Sequence, residues 1–157
     1  MANEFYILME GTKQGKFKGE ANKEKWKDKS VGIGFSFEVK SPTDVASGLP
    51  TGKRQYLPIK ITKQWGASSP QIFQALVSRE ILKTVLFEFV KSNSKGAEEV
   101  FQMIKITNAT IVNHHQYINA NTDSKQSLEL EDVSFVFQKI EIRNRIGTMA
   151  TDDWKSV

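Results

Sequence analysis

The chain is 157 residues long with a formal net charge of +4, 39% hydrophobic residues, 25% charged residues and no cysteine. That size and balance predict one globular domain spanning residues 1–157 and exclude collagen-like and disordered classes. Without cysteine there is no disulfide scaffold, thiolate zinc site, iron–sulfur cluster or thiol nucleophile, and two histidines are too few for a histidine-rich metal site.

The chain opens with one short apolar run, Phe5 to Met9, flanked by Glu4 and Glu10. It is too short and too acidic at its edges for a signal peptide. No apolar run approaches the ~20 residues that span a bilayer. The expectation is cytoplasmic synthesis and folding, no membrane insertion, and export, if it occurs, without a cleaved signal. Phe5, Ile7 and Met9 predict a first short strand.

The next stretch is basic: Lys13, Lys16, Lys18, Lys23, Lys25, Lys27 and Lys29, with Phe17 and Trp26 among them. Basic residues interleaved with aromatics raise a nucleic-acid interface. Glu20, Glu24 and Asp28 interrupt the run, and it holds no Arg for bidentate contacts to phosphate or guanine. A solvated basic loop or edge strand fits better.

Val31, Ile33, Phe35, Phe37 and Val39 alternate with Gly32, Gly34, Ser36 and Glu38, which predicts a strand with one buried face. Gly32 and Gly34 suggest a bend or a close backbone approach. Lys40 to Gln55 is a long irregular stretch punctuated by Pro42, Gly48, Pro50 and Gly52; such loops are often functional. Val45 and Leu49 are apolar anchors in it, and Lys53 and Arg54 offer charge to an acidic patch. Residues about 43–54 are therefore expected to pack on another subunit. Leu57, Ile59 and Ile61 begin a further strand, with Pro58 at its edge or start.

Ser69 as cap and Pro70 in the first turn open a helix at about residues 70–83. Phe73, Leu76, Val77, Glu80 and Ile81 share its expected inner face. Val85 to Val90 predicts a strand. Val100 to Ile118 is too long for one flat strand: Ile104 and Ile106 share one parity, Ala109 and Ile111 the other, so a bulge is expected near Thr107–Asn108. A second is expected near Glu131–Asp132, where Leu128 and Leu130 give way to Val133, Phe135 and Phe137. Asn119 to Lys125 should turn one long segment into the other. These elements predict a mainly β fold, two antiparallel sheets closing into a small β-barrel with one flanking helix.

Catalytic chemistry finds no support. Gly48-Leu49-Pro50-Thr51-Gly52-Lys53-Arg54 has three residues between its glycines, and Arg54 stands where a phosphate loop needs Ser or Thr. His114 and His115 are adjacent on a strand and point to opposite faces, so they cannot share a metal. Glu98-Glu99 and Asp152-Asp153 are sequence neighbours, not convergent carboxylates. No enzyme activity and no cofactor are expected.

Two stretches carry a resemblance. One runs Gly52-Lys53-Arg54-Gln55, Pro58 to Lys63 and Ser68 to Leu76. The other runs Leu130 to Glu141 and closes with Ala150-Thr151-Asp152-Asp153-Trp154. Together they resemble the haemolysin-coregulated protein (Hcp) family, the inner-tube subunit of bacterial type VI secretion. The chain departs from it at Tyr56, where the family often has His, and in its Lys-rich Gly11–Lys29 segment. The resemblance implies homo-hexameric rings that stack into a hollow tube, small effector proteins in the lumen, a spike protein at the tip and sheath proteins around the outside. The tube would be assembled in the cytoplasm and then expelled. It also implies that the loop carrying Val45, Leu49, Lys53, Arg54 and Gln55 contributes to contacts between rings. A phage-type tail tube subunit is the related alternative, and a nucleic-acid-binding module using Lys13–Lys29 a weaker one.

Overall fold

The computed structural model describes residues 4–118 and 128–153. The strands in chain order are β1 (Phe5–Gly11), β2 (Gly15–Lys16), β3 (Ser30–Ser36), β4 (Val39–Lys40), β5 (Gln55–Tyr56), β6 (Ile59–Gln64), β7 (Leu82–Ser92), β8 (Glu98–Ile118), β9 (Glu129–Val136), β10 (Lys139–Asn144) and β11 (Met149–Asp153). Among the described residues the one α-helix, α1 (Ser69–Val77), lies between β6 and β7, and a single 3-10 turn, Glu24–Trp26, lies between β2 and β3.

β7, β1, β3, β6, β9 and β8 pair antiparallel in a closed ring, the predicted barrel. β8 makes the closure possible. One edge of it pairs with β7, while its other edge serves β10 from Gln102 to Thr107 and β9 from Thr110 onward. Between those two partners Asn108 takes a left-handed conformation, φ 52°. The buried parity changes there, from Ile104 and Ile106 to Ala109 and Ile111, but without the expected bulge: β8 keeps one register with β7 from Ala109 opposite Leu82 to Gln102 opposite Phe89, and its register against β9 shifts further on, between Ile111 and Asn113. β10 and β11 continue the sheet beyond the ring. The expected turn at Asn119 to Lys125 lies outside the described residues.

Further expectations need correction. β9 has no bulge at Glu131–Asp132: it pairs with β6 in unbroken register from Leu130 to Phe135. Glu131, Val133 and Phe135 share its inner face, and Leu128 and Leu130 lie outside the core. The cleanest alternation in the sequence is also split. The register between β3 and β6 slips between Gly32 and Gly34, so Val31 joins a small cluster with Tyr6 and Trp26 while Phe35 and Phe37 pack on the main core.

The helix is shorter than expected, ending at Val77 instead of continuing to Lys83. Its stop is made without glycine. Arg79 takes φ 54°, its N–H bonds to Leu76 O at 3.2 Å, and the Glu80 N–H bonds to Ala75 O at 2.9 Å. This double closure satisfies the last carbonyls of the helix. The buried face is Ser69, Ile72 and Ala75, while Phe73, Val77 and Ile81 face solvent. Ser69 is not the expected cap: it is the first helical residue, the cap position falls at Ser68, and the Ser69 hydroxyl donates to the buried Glu131 carboxylate at 2.7 Å. That bond turns the i, i+3 stripe inward and sets the rotation of the helix.

The core fills the ring with Phe5, Ile7, Met9, Ile59, Ile61, Phe87 and Phe135 among its members. Phe5 stacks close against the β3 backbone: a Cβ on Gly32 would lie 2.2 Å from the Phe5 Cζ. Gly32→Val is therefore expected to cost roughly 1–3 kcal/mol through overpacking. Chemical denaturation checks it, and an unchanged midpoint would refute the contact.

Candidate functional site

The Lys40–Gln55 stretch is an arm that orders itself. β4 and β5 pair at its base, with Val39 opposite Tyr56 and Lys40 opposite Gln55. Thr43 and Pro50 form an antiparallel bridge further out. At the tip the Asp44 carboxylate accepts from the Ser47 hydroxyl at 2.8 Å and the Ser47 N–H at 3.2 Å. The Gly48 N–H donates to Asp44 O at 2.8 Å, and the Asp44 N–H donates to Leu49 O at 2.8 Å. The Ser47 hydroxyl and the backbone N–H groups of Ala46 and Ser47 hold the Asp44 carboxyl below its ordinary range. The stretch is thus a narrow hairpin and needs no outside surface to become ordered.

Val45 is fully exposed and Leu49 is 64% exposed, one on each side of the tip turn. Lys53 and Gln55 are also exposed. Arg54 is not a free charge: its Nε and Nη2 both donate to the Asp152 carboxylate on β11, the Nη2 bond at 2.7 Å. The Tyr56 hydroxyl donates to the same carboxylate. Arg54 and, after it, Tyr56 hold the Asp152 carboxyl below its ordinary range.

The basic stretch is committed elsewhere. Phe17 and Trp26 are buried, so neither aromatic is available to stack on a base. Trp26 lies parallel to Tyr6 at 4.3 Å, with the Lys25 and Lys29 ammonium groups 5.2 Å from its ring. Lys23 pairs with Glu98, Lys29 pairs with Glu88, and Lys25 donates to Glu98 O at 2.8 Å. Among the described residues no group of three His, Asp or Glu side chains is placed to hold a metal. None of the described helices is long and apolar enough to cross a membrane.

Residues 6–143 match the family described as type VI secretion system effector, Hcp. The chain belongs to the Hcp family. The family is one of secreted, non-enzymatic tube proteins of type VI secretion. The major exported protein of Pseudomonas aeruginosa is 33% identical over 168 residues, covering 99% of this chain and 98% of that protein. Among solved structures, one of an Hcp protein superposes with a TM-score of 0.89 at 28% identity, covering 98% of this chain and all of the other. The secreted Hcp3 protein of Pseudomonas aeruginosa superposes with a TM-score of 0.78 at 27% identity, covering 99% of this chain and 100% of that one.

Inside this Hcp barrel lies a second constellation, which the residue patterns left unnoticed. Glu131 and Lys63 are both fully buried and lie 2.6 Å apart. The Glu131 carboxylate also accepts from Ser69 at 2.7 Å, His114 Nε2 at 2.7 Å and Gln116 Nε2 at 3.2 Å. Its four acceptor positions are filled. Lys63 Nζ donates in addition to Gln64 O at 2.7 Å and lies 3.3 Å from Glu20 Oε1, a charge contact without hydrogen-bond geometry. Burial opposes the charge on Glu131, but the bonds from His114, Lys63 and Ser69 outweigh it and hold its pKa at about 2. The cluster ties β6, β8, β9 and α1 together without an opening to solvent at Glu131 or Lys63, so its work is structural. Parity pointed to it: Lys63 follows Ile59 and Ile61 on one face, and Glu131 precedes Val133 and Phe135 on another. His114 points in to Glu131, while His115 is exposed and lies 5.0 Å from the Tyr117 ring.

Proposed function

We propose that this Hcp-family chain acts, as one unit over residues 1–157, as the inner-tube subunit whose closed rings of six stack through the arm. The arm carries the reading. It is a self-ordered hairpin with Val45 and Leu49 in solvent, where an isolated chain gains nothing from them. Exposed Lys53 and Gln55 at its base side add polar contacts at the same junction. Ring closure is supported by β11, which among the described residues pairs only with β10 and leaves one backbone edge for a neighbour. In this reading the tube is built in the cytoplasm, is surrounded by sheath proteins, meets a spike protein at its tip and carries small effector proteins in its lumen.

Native mass spectrometry tests the ring, and class averages down the symmetry axis test its order. The expected result is a six-subunit mass at micromolar concentration with a central hole. A monomer at every concentration in that range would overturn the proposal.

A further inference from the structure

We propose that Asp152 is the positioning residue that aims the arm, through the fork it forms with Arg54 and Tyr56. This rests on the reading of the arm as the ring-to-ring contact, and it changes the part Arg54 plays there. Arg54 was expected to offer its charge to a partner. The structure turns that charge onto the chain's own last described strand.

The geometry is that of a clamp with a fixed angle. A guanidinium that donates through Nε and Nη2 to both oxygens of one carboxylate is held in a plane, unlike a point-charge contact. The third bond comes from Tyr56, whose ring is held by the barrel: it lies 6.3 Å from Phe37 and 5.2 Å from Phe137, two rings of the core region. Asp152 itself is fixed by pairing with Ile140 across β10 and β11. Two parts of the chain far apart in sequence therefore meet at one carboxylate: the arm base, through Arg54 and Tyr56, and the edge strand, through Asp152.

The arm's other bonds run from one side of the hairpin to the other: the β4–β5 pairing and the Leu57 N–H to Glu38 O bond make it an extension of the β3–β6 pair, and those at Asp44, Ser47, Gly48 and Thr51 shape its outer part. The fork is what ties this two-stranded ribbon sideways to β11. From Thr43 to Gln55 every residue is exposed. A two-stranded ribbon that leaves the barrel without a sideways tie would bend and present Val45 and Leu49 over a range of directions, and each copy would lose entropy on docking. A fork at the base removes that cost before assembly. Asp152-Asp153, the neighbouring acid pair near the chain end, thus acquires a use that has nothing to do with acid–base chemistry.

The test uses the full chain, which has no cysteine, so spin labels can be placed cleanly. Labels go at Ala46→Cys on the arm and Asn113→Cys on β8, in chains diluted into unlabelled rings. Pulsed EPR reads the arm-to-barrel distance, and electron microscopy counts tubes. The parent should give one narrow distance. Asp152→Asn and Arg54→Lys should each broaden it and lower tube formation about tenfold, the loss expected for a charge-assisted bond. The ring mass should not change. The reversed pair, Arg54→Asp with Asp152→Arg, should restore both readouts in part. An unchanged distance distribution in Asp152→Asn would overturn the proposal. So would normal tubes from Asp152→Asn alongside none from Arg54→Glu, because Arg54 would then serve a partner. The arm reading fails separately, if Val45→Ser with Leu49→Ser leaves tubes intact while the EPR distance still depends on Asp152.

Discussion

Lys63→Met is expected to destabilise the barrel by about 3–5 kcal/mol, the usual cost of leaving a buried charge without its partner. The substituted side chain fills much of the same space, so the loss is electrostatic. Glu131 would remain fully buried, with Ser69, His114 and Gln116 as donors but no cation at 2.6 Å. For a chain near this length each kcal/mol lowers Tm by roughly 2–4 °C, so a fall of about 10 °C should be seen by calorimetry. Lys60→Met is the control. Lys60 lies 3.7 Å from Asp132 with its side chain 55% exposed, and its loss should stay within about 0.5 kcal/mol. Equal Tm values for the two variants would refute the role given to the buried pair.

The same cluster sets a pH dependence with a definite sign. The folded Glu131 has a pKa of about 2 against an ordinary 4.5. Its stabilising contribution is therefore complete above pH 4.5 and is lost as pH falls from there through 2. A depression of that size corresponds to about 3 kcal/mol. Denaturation midpoints measured between pH 6 and pH 2.5 should fall in the parent and fall less in Glu131→Gln, which starts lower. Parallel curves would show that other carboxylates govern acid unfolding.

Val45→Ser with Leu49→Ser is expected to abolish stacking while leaving the barrel and the ring intact. Neither side chain touches the core, so the isolated fold should change by no more than about 0.5 kcal/mol. In an assembled tube each would bury apolar surface worth roughly 1.5–3 kcal/mol. Every subunit of a ring presents the same pair, so the losses fall on one ring-to-ring junction together. Sedimentation and microscopy should show single rings where the parent gives tubes, and secretion should fall with them. Tubes of normal length from the double variant would sink the arm reading, whatever the thermal stability.

The residue patterns carried the architecture a long way. Strand alternation and the single helical stretch led to a small antiparallel barrel, because a period-2 pattern records which face must be dry. The resemblance in Pro58–Lys63, Ser68–Leu76 and Leu130–Glu141 led to the family that the comparison over residues 6–143 establishes. The arm was legible as a long loop with misplaced Val45 and Leu49, though its hairpin order was not, since Asp44 and Ser47 act through local geometry that composition does not encode.

What the tertiary structure decided are the contacts between residues distant in the chain. Phe73, Val77 and Ile81 made an apolar stripe as good as Ile72 and Ala75; Ser69 bonded to Glu131 chose between them. Lys63 and Glu131 are 68 residues apart, and Arg54 and Asp152 are 98 apart. A charged residue on a buried parity reads as an interruption until its counter-charge is found, and only closing the barrel brings the two together. The helix stop at Arg79 belongs to the same class. A left-handed residue other than glycine is uncommon, and here the Glu80 side chain just beyond it is anchored by the Lys13 and Gln14 N–H groups at 2.9 and 2.8 Å, bonds that exist only once the turn after β1 meets the segment after α1.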